Sequence, residues 1–138
     1  MLTPQDHIEI HELLALHAFL FDENQLDRVE ELFTRDAVYD LSATGLGAFE
    51  GIDTIRVAAA RLVASGHSPL AHFVTNIIIT PVSDDEARVL SKGVMIMADG
   101  STGGATHRDT VRRDGGHWRL SRRVITPTPA PIGVPAAH

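Results

Sequence analysis

The hydrophobic positions divide the chain into a first half of helices and a second half of strands. In the first half, apolar residues at helical spacing predict a long helix from Thr3 to about Phe21, a short helix over residues 26–33 and a third over residues 51–65. Thr3 and Asp6 have the spacing of a capping box, in which each side chain bonds to the backbone N–H of the other residue. The first helix should therefore have a well-defined start.

Strands are predicted wherever apolar and polar residues alternate with a period of two. After Pro69 this pattern continues almost to the end of the chain, interrupted by short polar turns that suit hairpins. The predicted strands cover residues 37–43, 71–81, 87–97, 105–113 and 117–126. Helices followed by an antiparallel meander indicate the α+β class rather than alternating βαβ units.

The longest run of β-branched residues, over 71–81, carries two polar residues among its apolar ones. His72 and Asn76 fall on one face of this strand together with Ile78, because successive side chains point to opposite faces. An unpaired buried polar group costs roughly 1–3 kcal/mol. His72 and Asn76 should therefore be hydrogen-bonded or line a cavity.

Asp22 is another polar residue in an unusual place, at the end of the first predicted helix. It shares a helical stripe with His11, Ala15 and Ala18. The helix dipole already puts partial negative charge at this end, so a further anion is disfavoured there. We therefore expect Asp22 to have a cationic or hydrogen-bond-donating partner, and the imidazole of His72 would suit it.

Composition narrows the chemistry that these residues can perform. The 138 residues are 43% hydrophobic, contain no cysteine and carry a formal net charge of −6. A single domain is expected at this length, and disulfides, thiolate metal sites and a cysteine nucleophile are excluded. The acidic balance disfavours nucleic acid as a partner. Because no apolar run could span a bilayer and no signal-peptide pattern is present, we expect a cytoplasmic protein without a membrane partner.

Several short motifs follow one another along the chain: Phe21-Asp22, Leu32-Phe33, Asp36-Ala37-Val38-Tyr39, Gly51, Ala71-His72-Phe73-Val74-Thr75-Asn76 and Trp118-Arg119-Leu120. In this order and spacing they resemble the SnoaL-like branch of the nuclear transport factor 2-like, cystatin-like superfamily. The resemblance implies a cone, in which N-terminal helices pack in the concave face of a curved antiparallel sheet around a pocket. We expect an α+β barrel domain over residues 1–126 and an extended Pro-rich arm over residues 127–138.

Within that branch the chain is most similar to scytalone dehydratase and hexachlorocyclohexane dehydrochlorinase. Both enzymes use an aspartate at the end of the first helix and a histidine at the start of the long strand, and Asp22 and His72 match these positions. Arg123 matches an arginine on the last strand of the dehydrochlorinase. The resemblance thus implies that His72, Asp22 and Arg123 are catalytic. The positions expected to bind substrate are Tyr39, Asn76, His107, Phe21, Leu41 and Met97, with Asp109 as a further candidate.

Other positions depart from the pattern of these two enzymes. Phe21 and Leu41 stand where scytalone dehydratase has tyrosines, and its second catalytic histidine has no counterpart in this chain. His17 stands where the dehydrochlorinase has a lysine. The chain is therefore not expected to act on scytalone itself.

Together these residues predict a cofactor-independent lyase, a dehydratase or dehydrohalogenase that acts on a small hydrophobic, cyclic substrate. His72 would remove a proton from carbon, Asp22 would orient the imidazole, and Arg123 would stabilise the leaving group. One alternative is an isomerase that uses the same base. The other is a non-catalytic ligand-binding protein, or an accessory subunit like the small subunit of ring-hydroxylating dioxygenases, in which Asp22 and His72 form a structural pair.

No metal or cofactor is predicted, but an oligomer is. His7 and His11 have a helical spacing that metal ligands can use, yet no third ligand accompanies them. The strand over residues 87–97 is apolar on both faces in its second half. One face can cover the helices, so the other is expected to meet another subunit in a homo-oligomer, a dimer or a trimer.

Overall fold

The structure is a computed structural model and describes residues 1–129 of the chain. This part of the chain contains two α-helices, two 3-10 segments and six strands. The elements in chain order are α1 (Pro4–Asp22), a 3-10 helix (Leu26–Glu31), β1 (Phe33–Leu41), a 3-10 turn (Ser42–Thr44), β2 (Gly47–Glu50), α2 (Ile52–Ala64), β3 (Ala71–Ser83), β4 (Glu86–Ile96), β5 (Thr102–Asp114) and β6 (His117–Pro127). Helices precede most of the sheet, so the predicted α+β class is confirmed.

All six strands belong to one curved sheet with the order β2-β1-β6-β5-β4-β3. Strands β3 to β6 form the predicted antiparallel meander. The sheet as a whole is mixed rather than antiparallel, because β1 runs parallel to β6. A parallel pair needs a long connection, which here consists of β2, α2 and the strands β3 to β5. The edge strands β2 and β3 do not pair with each other, so the predicted barrel is unclosed.

Helix α1 starts where the capping box predicted. The hydroxyl of Thr3 accepts a hydrogen bond from the backbone N–H of Asp6 at 3.1 Å, and the carboxylate of Asp6 accepts one from the backbone N–H of Thr3 at 2.8 Å. The helix packs against β3 and β6. Its fully buried side chains include Ile10, Leu14 and Leu20. This packing brings the C-terminal end of α1, at Asp22, to the start of β3.

The stretch between the first two long elements differs from its predicted secondary structure. The 3-10 helix ends at Glu31, and β1 begins at Phe33 rather than at Ala37. A short strand, β2, follows where only a loop was expected. Short apolar runs fit both a helical turn and a strand, so periodicity alone does not separate them. Pairing with β6 and β2 decides the outcome here.

A bulge in β3 reverses the predicted facing of its second half. Asn76 has a φ of 55°, and the pairing with β4 shifts between Thr75 and Ile78. A bulge inserts one extra residue, so the alternation slips by one position. Ile77 packs against the core after the slip, whereas Ile78 is 58% exposed. The prediction that Asn76 and Ile78 share the face of His72 is therefore wrong.

The C-terminal arm can be compared with the structure only over its first residues. β6 extends to Pro127, and the backbone N–H of Thr128 bonds to the carbonyl oxygen of Gly104 at 2.9 Å. Residues 130–138, which carry most of the predicted arm, lie outside the described residues. Within residues 1–129, neither helix has the length and hydrophobicity to cross a bilayer.

Candidate active site

The concave face of the sheet is packed at one end and hollow at the other. Along β4, Ala87 and Val89 are buried in the core, whereas Gly93 and Met95 line a cavity of about 720 Å3. Helices α1 and α2 and strands of the sheet enclose it, and most of its lining is apolar. The polar side chains that α1 and the strands contribute to the cavity are His17, Tyr39, His72, His107 and Arg123.

Asp22 and His72 meet where the end of α1 reaches the start of β3. The backbone N–H of His72 donates to Oδ2 of Asp22 at 2.8 Å, and ring Nδ1 of His72 contacts Oδ1. The side chain of Asp22 is 16% exposed and that of His72 is 34% exposed. An ionised carboxylate only accepts hydrogen bonds, so the contact requires a proton on Nδ1, and in the neutral imidazole Nε2 then keeps a free lone pair. The two contacts hold the imidazole in one tautomer and one orientation.

Arg123 is buried and paired with Asp109. The two residues face each other across β6 and β5, and Nε and Nη2 of Arg123 donate to the carboxylate at 2.8 and 2.9 Å. Their side chains are only 3% and 0% exposed. Burial alone would lower the pKa of Arg123, but the negative charge of Asp109 outweighs it and raises the pKa above its ordinary value. Arg123 therefore remains a cation at the cavity wall, with its charge largely balanced.

Three rings are stacked beside Arg123. His17 lies nearly parallel to Phe21, with ring centroids 4.4 Å apart, and to Tyr39 at 5.9 Å, while Phe33 meets all three rings edge-on. The hydroxyl of Tyr39 lies 3.3 Å from Nε2 of His17. Burial, and then the positive charge of Arg123, lower the pKa of His17 well below its ordinary value. Burial raises the pKa of Tyr39, so both groups are neutral near pH 7.

His107 is a further neutral imidazole on the cavity wall. Burial, and then the positive charge of Arg123, lower the pKa of His107 to about 3. Its Nδ1 is buried and has no hydrogen-bond partner within residues 1–129. A buried polar atom without a partner is uncommon in a folded protein.

The structure brings most of the predicted site residues together. Those that line the cavity are Phe21, Tyr39, Leu41, His72, His107 and Arg123, and Asp22 joins them through His72. Two predicted substrate-binding residues do not line it. Asn76 is exposed on the bulge of β3, and Met97 belongs to the turn after β4, where its backbone N–H bonds to the carbonyl oxygen of Ser101 at 2.9 Å. Met95, two residues earlier, lines the cavity instead.

Three contributions to the site were missed by the sequence interpretation. His17 was treated only as a substitute for a lysine, although its spacing of four residues from Phe21 places both rings on one face of α1. Asp109 was a candidate for the lining, but its carboxylate is the counter-ion of Arg123. No pattern in the sequence indicated a role for Gly93, because that role depends on the imidazole of His107 on the neighbouring strand of the folded sheet.

The fold and the site together define a small α+β protein that carries a pocket in a curved sheet, of the nuclear transport factor 2-like, cystatin-like type. The SnoaL-like domain family matches residues 4–124, and the chain belongs to this family. No curated protein matches the chain.

Solved structures agree on the fold. A protein of unknown function with a cystatin-like fold from Nostoc punctiforme superposes with a TM-score of 0.80 at 25% identity, over 94% of this chain and 96% of that one. LinA superposes with a TM-score of 0.78 at 19% identity, over 97% and 95% of the two chains. A putative scytalone dehydratase from Novosphingobium aromaticivorans superposes with a TM-score of 0.74 at 22% identity, over 95% of each chain. The last two likenesses show a shared fold and leave the activity of this chain to its own residues.

Proposed function

We propose that the protein is a cofactor-independent lyase, which removes a proton and a neighbouring leaving group from a small hydrophobic substrate bound in the cavity. The observation that carries this proposal is the contact of Asp22 with both the backbone and the ring of His72 at the wall of a largely apolar cavity. A dehydratase and a dehydrohalogenase both fit this arrangement, and they differ in the leaving group.

His72 is the general base in this proposal. Its Nε2 takes a proton from a substrate carbon, and Asp22 stabilises the imidazolium that results, because the carboxylate already accepts a hydrogen bond from Nδ1. The electrons of the broken C–H bond form the new double bond. The bond from the neighbouring carbon to the leaving group breaks, and that group departs with its electron pair. The proton on His72 then passes to the departed group or to water.

Arg123 and Tyr39 form the polar wall that receives the developing negative charge. Arg123 is a fixed cation in a water-poor environment, where electrostatic stabilisation is strong. Because one edge of its guanidinium is bound to Asp109, it can act only through its remaining N–H groups. The hydroxyl of Tyr39, neutral near pH 7, is a further hydrogen-bonding group on the same wall.

A substrate panel tests this proposal directly. The wild-type protein is incubated with cyclic β-hydroxy ketones and with chlorinated cyclohexanes, and alkene formation is followed by ultraviolet absorbance and chloride release. We expect His72→Ala to lower kcat by about 10²- to 10⁴-fold, the range of a lost general base. His117→Ala, at an exposed histidine outside the cavity, is the matched control and should keep full activity. Unchanged turnover in His72→Ala would overturn the proposal.

A ligand-binding or accessory protein is the second candidate function. The buried ion pair of Arg123 with Asp109 supports this second candidate, because such a pair can hold Arg123 in a purely structural role. Deuterium exchange separates the two functions without knowledge of the leaving group. In D2O, a protein with an active base exchanges the α-protons of a bound cyclic ketone, and His72→Ala abolishes that exchange. A binder holds the ketone without exchange in either variant.

We also propose that the protein forms the homo-oligomer expected from its sequence. Ile78 and Leu90 are paired neighbours on β3 and β4 and are 58% and 40% exposed on the sheet surface. Contiguous exposed apolar side chains are typical of interaction surfaces. Light scattering of the wild type and of Leu90→Lys tests this, since a charge at the interface should reduce the assembly to monomers.

A further inference from the structure

Gly93 and His107 are fitted to each other on neighbouring strands. Gly93 on β4 pairs with Ala105 on β5, and His107 is the next residue of β5 on the same face. A Cβ atom added to Gly93 would lie 2.8 Å from Cε1 and 3.0 Å from Nε2 of His107. Such a separation is too short for two carbon atoms, so the imidazole occupies space that every other residue type at position 93 would fill. Both residues line the cavity.

The surroundings of His107 determine which of its nitrogen atoms can meet a ligand. Nδ1 is buried, so Nε2 is the ring nitrogen left to face the cavity. The neutral ring carries one proton. A buried N–H without a partner is tolerated less often than a buried lone pair, which favours the proton on Nε2. His107 then offers an N–H to the cavity.

The charge balance of the wall indicates what that N–H would bind. Among neighbouring charges, Arg123 has the largest effect on the pKa of His107, and Arg123 is already paired with Asp109. No carboxylate is hydrogen-bonded to His107 within residues 1–129. A neutral acceptor such as a carbonyl oxygen therefore fits this wall, since it needs a donor and brings no charge that must be balanced in an apolar cavity.

We propose that Gly93 and His107 act as one specificity-determining unit, in which Gly93 leaves the space for an imidazole that donates from Nε2 to a hydrogen-bond acceptor on the substrate. The inference rests on the proposed function in one respect, that the substrate occupies this cavity. It deepens that function by defining the substrate as an apolar molecule that carries a neutral oxygen acceptor in addition to its acidic C–H group.

Binding of a matched pair of probes tests the unit without turnover. α-Tetralone and tetralin share a bicyclic hydrocarbon body, and only the ketone has an acceptor. Displacement of anilinonaphthalene sulfonate fluorescence gives the Kd of each probe, and the ratio of the two Kd values measures the preference for the acceptor. We expect the wild type to prefer the ketone. His107→Leu should reduce the ratio by about three- to tenfold, the net effect of one lost hydrogen bond.

Three further variants keep the test specific. Gly93→Ala should reduce the ratio as well, because the added Cβ displaces the ring of His107. His107→Gln retains a side-chain N–H donor and should restore part of the preference. Gly103→Ala is the control, because Gly103 does not line the cavity and its added Cβ would lie at an ordinary distance of 3.5 Å from the flexible end of the Met95 side chain. Circular dichroism establishes that each variant is folded.

The outcomes are separable from those of the lyase proposal. A ratio that is unchanged in both His107→Leu and Gly93→Ala, or a wild type without preference for the ketone, overturns the inference. His117→Ala should keep the wild-type ratio, because its side chain is exposed and lies outside the cavity lining. A protein that fails every turnover assay and still prefers the ketone would refute the lyase while the specificity unit stands.

Discussion

The two ends of α1 each present an aspartate to the sheet, and the two carboxylates are held in different ways. At the N-terminal end, Asp6 accepts hydrogen bonds from the backbone N–H of Thr3 at 2.8 Å, from Nη2 of Arg113 at 3.0 Å and from the indole of Trp118 at 3.1 Å. The backbone N–H of Thr3 and then the indole hold the pKa of Asp6 well below its usual range. Donors from three separate parts of the chain thus converge on Asp6.

At the C-terminal end, Asp22 accepts from the backbone and the ring of one residue, His72. An imidazole has two nitrogen atoms, so binding one to a carboxylate leaves the other available. His72 also lines the cavity, whereas Asp6 and its partners do not. A carboxylate surrounded by several fixed donors stabilises the fold, whereas a carboxylate paired with one imidazole can affect chemistry at the second nitrogen of that ring.

The largest effect is expected at the cavity end. Asp22→Asn keeps the shape of the side chain but replaces the anion that holds Nδ1–H and stabilises the imidazolium. We expect kcat to fall by about 10²- to 10⁴-fold, with little change in the free energy of unfolding. Steady-state kinetics and urea denaturation measure the two quantities. Equal losses of stability in Asp22→Asn and Asp6→Asn would remove the distinction between the two ends.

Asp109 is a third carboxylate held by fixed donors, the N–H groups of Arg123 at the cavity wall. Asp109→Leu leaves Arg123 buried without its counter-ion, and we expect the free energy of unfolding to fall by about 3–5 kcal/mol. Chemical denaturation measures this loss. The matched control is Asp36→Leu, which breaks a surface pair with Arg112 that is 68% and 40% exposed and should change stability little. Comparable losses in both variants would contradict the assignment of Arg123 as a buried charge.

A smaller effect is expected at the packed end of α1. Asp6→Asn should lower the midpoint of thermal unfolding and leave kcat unchanged. Because the pKa of Asp6 is lower in the folded state than in the unfolded state, its contribution is complete above roughly pH 4 and is lost as the pH falls further. Melting curves between neutral and acidic pH measure this, and the variant should lose less stability on acidification than the wild type. Equal acid sensitivity would show that Asp6 is not the responsible group.

The smallest effect concerns His17, which is buried as a neutral ring. The unfolded chain takes up its proton below roughly pH 6.5, while the folded protein resists it, so stability should fall as the pH drops below that value. His17→Phe preserves the stack with Phe21 and should reduce the slope of unfolding free energy against pH by up to about 1.4 kcal/mol per pH unit. Urea denaturation at several pH values gives the slope, and an unchanged slope would contradict a buried neutral His17.

Much of the fold was predictable because its signals are local. The capping box of Thr3 and Asp6 places the start of α1, and alternation with polar turns places the meander from β3 to β6. Asp22 and His72 could also be paired from sequence, since the resemblance to a known family and the cost of an anion at a helix end both indicated a partner. The predicted bounds differ most from the structure around β1, because a short apolar run there fits both the helical period and the strand period.

The order of helices and strands and their approximate bounds follow from patterns among neighbours along the chain, and the residue types available for chemistry are read directly from it. The direction in which each side chain faces, and the groups that it contacts, depend on how the strands pair in the folded protein. The bulge at Asn76 reverses the facing of the side chains in the second half of β3, and the pairing of β5 with β6 places Asp109 beside Arg123 as its counter-ion. Gly93 lies under His107 because two strands come together. These contacts join residues distant in sequence, so no local pattern encodes them.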